Sequence, residues 1–465
     1  MLADGDLHVH FFLLLKWSSG GKGQLHAKRS RPVGDVPRDC AREARYNWVH
    51  SIMSIAALSP GNDEEASPYW RRNLYVCLLG SFTTVASMTL ILPFLPLYVA
   101  ALGVHSQRAV IQWSGIAFGA TFLAAGIASP FWGMFADRYG RKLILVRASL
   151  GMAIVISMLG LAQNVYQLVL LRLLAGLVGG YASGSIILVA TQTPKSRSGW
   201  ALGTLSTGVL TGNLVGPLIG GILPELIGVR RTFFLAGGVI FLAFLCTCAF
   251  IKEAPRRRDS KAEESMSGGL WSRIPDPLPV IAMLATGLLL LFANMSIEPI
   301  ITVYVSQIMH GSTHVALISG VVMSATAFGG ILAAPRLGRL GDQIGAWNVV
   351  ISCLLVTSVL LIPQAFVTTG WQLVLLRFLM GMALAGLLPS ITTVIRHNVP
   401  NAIAGSILGL STSAQFAGQV TGPLAGGFIG GYYGMRAVFF ATSALMLLGS
   451  VGNCIASKAK RGTRA

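Results

Sequence analysis

The sequence predicts an all-α integral membrane protein with 12 transmembrane helices, arranged as two homologous six-helix halves around a central cavity. Three observations predict this fold: the composition, the spacing of apolar runs between basic loops, and an internal repeat. Of the 465 residues, 53% are hydrophobic and only 11% are charged, whereas soluble domains carry about 25% charged residues. With a mean hydropathy of +0.67, the composition excludes soluble globular, collagen-like and disordered chains.

Apolar runs long enough to cross a bilayer, which takes about 20 residues each, fall into two sets of six. The first set covers 73–99, 109–135, 144–163, 167–191, 200–223 and 232–251, and the second covers 279–305, 315–337, 348–367, 371–395, 402–429 and 434–455. We therefore predict an N-terminal half over 73–251 and a C-terminal half over 279–456. The polar stretch 252–278 is predicted to be a cytoplasmic linker, and 457–465 a basic tail.

Residues 1–72 form a polar leader with ten Lys/Arg and eight Asp/Glu residues. Its apolar run from Phe11 to Leu15 is too short to span a membrane, and no basic residue precedes it as in a secretion signal. Our hypothesis is that translation starts at Met53, so that residues 1–52 are a misassigned extension. A disordered cytosolic tail is the alternative.

The basic residues predict the orientation in the membrane, because cationic loops resist translocation. With both termini in the cytoplasm, the inner loops and the C-terminal tail hold 19 Lys/Arg residues. The outer loops then hold four, namely Arg108, Arg230, Arg231 and Arg436. The net charge of +18 lies in short loops beside the bilayer and the leader, so we expect no nucleic-acid partner.

The two sets of spans match each other in sequence at a nearly constant offset. Tyr166–Arg172 recurs 205 residues later as Trp371–Arg377, and Gly212–Gly221 recurs 206 residues later as Gly418–Gly427. The loop after each second span also repeats, with Gly133, Asp137 and Gly140 matching Gly338, Asp342 and Gly345. A parallel repeat of this kind places a transport pathway between the halves.

Three segments resemble signatures of the major facilitator superfamily. Gly133–Lys142 is similar to the G-x-x-x-D-R-x-G-R-K signature between helices 2 and 3, and Arg172 with Gly176 resembles the helix-4 signature of proton-coupled members. Gly212–Gly221 resembles the helix-5 signature G-x-x-x-G-P-x-x-G-G of the drug:proton antiporters. The resemblance covers roughly residues 71–456 and implies a multidrug-efflux type of transporter in the bacterial inner membrane.

The resemblance gives the first signature the role of a latch between the halves on the cytoplasmic side. Its residues are Gly133, Asp137, Arg138, Gly140 and Arg141. An ionised Asp137 can face the positive end of a helix dipole, and helix 11 is the expected partner. The alternative is a basic loop that only fixes topology.

Helix 11 is predicted to begin after Pro400, with Asn401 as its N-cap. In the second half, Ala346 and Trp347 replace the basic pair of the signature, so a latch made by Asp342 is expected to be weaker.

Two ionisable residues inside apolar runs are candidates for proton coupling. Placing Arg172 at mid-helix costs roughly 2.5–3.5 kcal/mol on insertion scales, so it needs a polar partner. The resemblance implies a coupling role, and the alternative is a structural hydrogen-bond hub between helices 4 and 1. Glu298, followed by Pro299, is the candidate proton carrier or cation-binding group; the alternative places it in water near the outer mouth. Helix 1 has no acid at the equivalent position, Leu92.

Two further sets of residues are predicted to serve conformational change and substrate binding. The helix-5 hinge consists of Gly212, Gly216, Pro217 and Gly220, which the resemblance places at a rocking seam with helix 8, while static close packing is the alternative. The candidate cavity-lining residues are Trp113, Asn213, Asn294, Gln415, Phe416 and Gln419. Such a cavity suits hydrophobic or mildly polar small molecules.

Enzyme and ATP-driven functions find no support, because the chain lacks GxxxxGK[ST], HExxH and GxSxG motifs. The six cysteines show no metal-ligand spacing, so we expect no metal, no catalytic residue and no cofactor beyond a proton gradient. The first hypothesis is a monomeric, proton-coupled exporter of small molecules that works by alternating access. The alternatives are a sugar or metabolite facilitator or importer of the same fold, and a transport-inactive membrane sensor or assembly protein.

Overall fold

The computed structural model describes residues 68–253, 274, 276–309 and 314–462, without the side chains of Asp137, Lys195, Asn401, Ala402 and 459–462. The hypothesis on the translation start and most of the predicted linker lie outside these described residues.

Twelve helical spans follow one another along the described chain, and three of them are broken into two pieces. They are α1 (Trp70–Thr89, then Leu95–Ala101), α2 (Gln107–Tyr139), α3 (Arg141–Leu159), α4 (Val165–Val178, then Tyr181–Gln192), α5 (Ser198–Ile227), α6 (Val229–Phe250), α7 (Pro277–Ile308), α8 (Val315–Ile344), α9 (Ala346–Gln364), α10 (Gly370–Leu384, then Leu387–Asn398), α11 (Asn401–Tyr433) and α12 (Met435–Gly462). Eleven are long and apolar enough to cross a membrane. The twelfth, α11, has 33 residues and is rich in Gly, Ser, Thr and Gln. The predicted all-α fold is confirmed.

The sequence repeat reappears in the way the helices begin and end. Asn164 caps α4 by accepting a hydrogen bond from the backbone N–H of Gln167 at 2.9 Å. At the equivalent position, Thr369 forms a capping box with Gln372 at the start of α10. Gly140 has φ 97°, a left-handed conformation that favours glycine, and ends α2 within a tight turn into α3.

The glycine stripe of α5 packs against α1 and not against α8, so the predicted hinge position of these glycines is wrong. A Cβ atom at Gly212 would lie 3.0 Å from the carbonyl oxygen of Phe82, and one at Gly216 would lie 2.5 Å from that of Ala86. Gly220 meets the carbonyl of Leu90 still more closely. Their four-residue spacing puts these glycines on one face, and that face lies inside the first half.

The seam between the halves is formed by the neighbouring face of α5, where Pro217 lies. The carbonyl oxygen of Pro217 sits against Gly320 of α8 so closely that a Cβ there would collide with it. The carbonyl of Pro423 in α11 sits against Gly115 of α2 in the same manner. These two contacts are equivalent in the repeat, so the seam has pseudo-twofold symmetry.

The same helix faces are uncovered at the other end of the molecule. Each of the four helices that form the seam has a glycine 18 residues from its seam residue, namely Gly133, Gly199, Gly338 and Gly405. A Cβ at any of these glycines would meet no atom within 4 Å. Eighteen residues make five turns at 3.6 residues per turn, so each of these glycines shares a face with its seam residue. The halves therefore touch at one end and part at the end that carries the basic loops.

Candidate functional site

Two arginines lie buried at equivalent positions of α4 and α10, each with 1% of its surface exposed. Arg172 donates from Nε to the carbonyl oxygen of Ala117 at 3.4 Å, and its Cζ lies 5.4 Å from the ring centroid of Phe118. Both partners belong to α2, so the expected link from helix 4 to helix 1 is wrong. The reason is that Gly176, one turn further along α4, lets α2 pack closely against it.

Arg377 has a different environment from Arg172. Its Nε and Nη2 atoms are buried and have no hydrogen-bond partner among the described residues. It attracts Glu298 electrostatically, yet no ion pair within 4.0 Å joins the two in the described part of the chain. A buried guanidinium with unused donors is costly, and it favours a nearby negative charge.

Glu298 lies in α7, partly buried, and accepts a hydrogen bond at Oε1 from the amide Nδ2 of Asn294 at 2.8 Å. One turn towards the outer end, the hydroxyl of Thr302 donates to the carbonyl oxygen of Pro93 in the first half, at 2.9 Å. Because residues four apart share a helix face, Glu298 lies on the face of α7 that meets the first half, one turn below this contact. The alternative position in the outer mouth is therefore wrong.

The proline beside Glu298 does not interrupt its helix, whereas the equivalent proline lies at a break in α1. The helix α7 runs unbroken from Pro277 to Ile308 with Pro299 inside it. In α1, the first piece ends at Thr89, and a short 3₁₀ turn containing Pro93 precedes the second piece. Pro93 is the repeat equivalent of Pro299, so the two halves use this proline differently: α1 is interrupted, whereas α7 carries the carboxylate.

Three of the six candidate cavity residues lie where α11 packs between α7 and α2. Asn294 joins Glu298, as described above, while Gln415 packs against α7, its Cγ lying 3.4 Å from a Cβ placed at Gly287. Phe416 faces α2 across the interface between the halves, 3.7 Å from a Cβ placed at Gly126. These contacts place α11 between α7 and α2.

The remaining candidates lie further from this group or have fewer contacts. The ring of Trp113 packs edge-on against Tyr166 of α4, with ring centroids 5.2 Å apart. Asn213 and Gln419 occupy equivalent, partly buried positions in α5 and α11. A substrate-binding role for all six cavity candidates stays a prediction.

The signature loop between α2 and α3 is held by a residue that sequence reasoning missed. The backbone N–H groups of Arg141 and Lys142 donate to Oε1 and Oε2 of Glu253 at 2.9 and 3.0 Å. Glu253 follows the end of α6, so its carboxylate caps the positive end of α3. The sequence alone shows an acid directly after the sixth span, and not that this acid lies beside the start of α3.

The basic side chains of the signature also form hydrogen bonds to other helices of the first half. The guanidinium of Arg141 donates to the carbonyl of Ile187 at 2.9 Å and to the hydroxyl of Thr191, both in α4. Lys142 Nζ donates to the carbonyl of Cys248 in α6 at 2.9 Å. These bonds fasten the start of α3 to the ends of α4 and α6.

The proposed partner of the latch is the N-terminus of α11, which begins at Asn401 with Pro400 as its N-cap and no side-chain cap. The expected N-cap role of Asn401 is wrong, because it is already the first helical residue. The side chain of Asp137 lies outside the described residues, so its contact with α11 stays a prediction. Arg138 and Asp342 are exposed at this end of the molecule.

A comparison with models of known protein families shows which family this chain belongs to. The model of the Major Facilitator Superfamily matches residues 77–351 and 283–461. The chain belongs to the major facilitator superfamily. The resemblance drawn from the three signatures is thereby confirmed.

Relatives of this superfamily member include two proteins named "Multidrug resistance protein MdtG". The one from Enterobacter lignolyticus is 45% identical over 382 residues, covering 82% of this chain and 91% of its own. The one from Citrobacter koseri is 45% identical over 396 residues, covering 85% and 97%.

Solved structures of transporters share the fold of this superfamily member. A bacterial homolog of the human lysosomal transporter Spinster, in an inward-facing and unoccupied conformation, aligns with a TM-score of 0.67 and 17% identity, covering 84% of this chain and 98% of its own. The human organic anion transporter MFSD10 aligns with a TM-score of 0.61 and 18% identity, covering 83% and 100%. The superfamily member is thus a multi-pass membrane protein with the fold of transporters rather than of enzymes.

Proposed function

We propose that this superfamily member is a secondary active exporter of small hydrophobic or mildly polar compounds, working by alternating access in exchange for protons. The relatives at 45% identity are named multidrug resistance proteins, and the helix-5 signature is of the antiporter type. The observation that carries the coupling is the position of Glu298, one turn below the Thr302–Pro93 contact between the halves.

The arrangement of the halves supports an alternating cycle. The seam at Pro217 and Gly320 closes one end, and the same faces part at the basic end. With both termini in the cytoplasm, as the basic loops favour, this is the inward-open state. A substrate enters from the cytoplasm or the inner leaflet, and the seam must part before the substrate leaves on the other side.

Glu298 supplies the proton step in this proposal. When the outer seam parts, the carboxylate becomes accessible from outside and takes up a proton on a carboxylate oxygen. After the return to the inward-open state, the proton leaves to the cytoplasm, and the carboxylate regains its attraction to Arg377. One proton enters as substrate leaves, and no cofactor takes part.

The latch acts in the opposite state. When the outer end opens and the basic ends close, Asp137 approaches the uncapped N-terminus of α11 and interacts with its dipole, which is worth up to about 2 kcal/mol. Glu253, Arg141 and Lys142 keep the start of α3 fixed to the first half during this movement. Partners in this proposal are the small-molecule substrate, protons and the lipid bilayer of a bacterial inner membrane, with the protein acting as a monomer.

Efflux of cationic and neutral dyes from cells expressing the full chain tests the function. Export by the native chain is expected to collapse when a protonophore is added, and in Glu298→Gln even without it. Asp276→Asn is the matched control, because Asp276 caps the start of the same helix and Asn caps equally well. Export that ignores the protonophore contradicts the coupling and favours the alternative, a sugar or metabolite facilitator of the same fold.

A further inference from the structure

Two basic side chains lie against one aromatic ring at the inner end of the first half. At the start of α1, Cζ of Arg72 lies 4.8 Å from the ring centroid of Tyr69. Directly after α6, Nζ of Lys252 lies 5.1 Å from the centroid of the same ring. The ends of α1 and α6 thus bring two cations together on the side of the molecule that carries the basic loops.

A buried amide holds Lys252 beside the start of α1. Asn73, the residue after Arg72, donates from Nδ2 to the carbonyl oxygen of Lys252 at 2.8 Å and accepts at Oδ1 from its backbone N–H at 3.2 Å. Only 1% of the surface of Asn73 is exposed, so water does not compete for these two hydrogen bonds. The fold itself therefore places the two basic residues side by side.

Arg72 carries hydrogen-bond donors that the described part of the chain does not use. Its Nε and Nη2 atoms are buried and have no partner among the described residues. Within those residues, no carboxylate lies within 4.0 Å of Arg72 or Lys252, and the carboxylate of Glu253 already accepts from two backbone N–H groups at the start of α3. Unused donors on a buried cation are costly, so this position favours an anion. Arg72 as a whole is partly exposed, which leaves it within reach of an anion from outside the protein.

Two indole rings beside the cations favour a lipid as the source of that anion. The ring of Trp70, at the start of α1, packs edge-on against that of Trp200, at the start of α5, with ring centroids 6.4 Å apart. Trp200 is 55% exposed. Tryptophan is enriched where spanning helices meet the lipid headgroups, and basic pockets between helices on the cytoplasmic side bind acidic headgroups. With both termini in the cytoplasm, as the basic loops favour, this end lies in the inner leaflet.

The second half does not repeat this cluster in its sequence. At the offset of 206 residues, Leu278 and Ser406 stand in place of Arg72 and Trp200, and Lys458 stands in place of Lys252. Because the two halves share one fold, a six-helix half does not need the cluster in order to fold. The cluster is therefore available for binding.

We propose that Arg72 and Lys252 form a site for the phosphate of an anionic phospholipid in the inner leaflet. The guanidinium of Arg72 and the ammonium of Lys252 donate to the phosphate oxygens, and the rings of Trp70 and Trp200 lie against the glycerol and the upper part of an acyl chain. The lipid contacts the first half alone. The site is therefore independent of the proposed export and of the proton step at Glu298.

Native mass spectrometry of the full chain in detergent measures the affinity for the first bound lipid. Phosphatidylglycerol and phosphatidylethanolamine with the same acyl chains are compared, since both carry a phosphate and only the first has a net negative charge. Phosphatidylglycerol is expected to bind more tightly. Arg72→Gln and Lys252→Gln should each weaken its binding roughly five-fold, whereas Lys458→Gln, the matched control in the second half, should leave it unchanged.

Two further measurements separate the lipid from other sources of negative charge. Trp200→Ser, which introduces the residue of the second half, should weaken lipid binding without changing any charge, and it keeps the test decisive where a variant of Arg72 fails to fold. Inorganic phosphate in excess should not displace the lipid. A chain with Asp63→Asn, Glu64→Gln and Glu65→Gln should bind the lipid as the native chain does.

Several results would overturn the site. They are equal affinity for the two lipids, native affinity in Arg72→Gln, Lys252→Gln or Trp200→Ser, and displacement of the lipid by inorganic phosphate, which would assign the cluster to a free anion. Lipid binding at least five-fold tighter after neutralisation of residues 63–65 would show that this acidic segment of the chain occupies the site instead. No substrate or gradient enters these measurements, so their outcome is separate from that of the export assay.

Discussion

Gly320→Ala is expected to shift the protein towards the outer-open state. A Cβ at position 320 would fall well inside 3.0 Å of the carbonyl oxygen of Pro217, a separation that real Cβ atoms essentially never show. The clash involves backbone on both helices, so no side-chain rotation relieves it, and the halves must part. Overpacking of this kind costs about 1–3 kcal/mol, which is roughly a 5- to 150-fold change in a two-state ratio.

The clash exists only while the outer seam is closed, so folding of each half is unaffected. The matched control is Gly338→Ala, on the same face of α8 at the open end, where a Cβ meets no atom within 4 Å. Closure of the basic end brings this face against the other half, so Gly338→Ala should shift the equilibrium the opposite way. Distances between spin labels at Gln163 and Thr368, which are exposed in equivalent outer loops of opposite halves, provide the assay. Equal shifts in the same direction, or no shift in Gly320→Ala, would show that the contact of Pro217 with Gly320 does not hold the outer end closed.

Two substitutions should act on stability instead of on the cycle. Gly216→Ala places a Cβ 2.5 Å from the carbonyl oxygen of Ala86 inside the first half, in every state of the cycle, and should lower the free energy of unfolding by about 1–3 kcal/mol. Gly203→Ala, whose Cβ would meet no atom within 4 Å, should change the free energy of unfolding little. Thermal unfolding in detergent compares the two variants, and equal melting temperatures would contradict the packing argument. Glu253→Gln removes the negative charge from the cap on α3 and should lower the free energy of unfolding by about 0.3–1 kcal/mol. The same assay at low salt measures this loss, and an unchanged or raised melting temperature would show that the charge adds no stability.

The length and order of the spans were predictable from the sequence, and features set by the packing of distant segments were not. The spans, the capping residue Asn164 and the turn at Gly140 follow from apolar length, cap chemistry and backbone conformation. The direction of the α5 glycine face was not readable, because a four-residue spacing shows that a face exists and not which helix covers it.

The site was predictable in composition and not in its contacts. Glu298 and Arg172 stood out because charge inside an apolar span is costly, and Arg377 occupies the repeat position of Arg172. The partner of Arg172 and the cap by Glu253 depend on which helices adjoin, over separations of 55 and 112 residues. The outer-closed state likewise depends on how the two halves are assembled. The same sequence also forms the outer-open state, so the sequence does not show which of the two is adopted.

Substrate-driven proton movement in proteoliposomes measures the coupling of export to protons without other transporters present. The full chain is reconstituted with a pH-sensitive dye in the lumen, and a compound that cells export is added outside. A lumenal pH change is expected with the native chain and with Asp276→Asn, and none is expected with Glu298→Gln. A pH change of the same size in Glu298→Gln would remove this carboxylate from the mechanism, and substrate transport by the native chain with no pH change would contradict proton antiport.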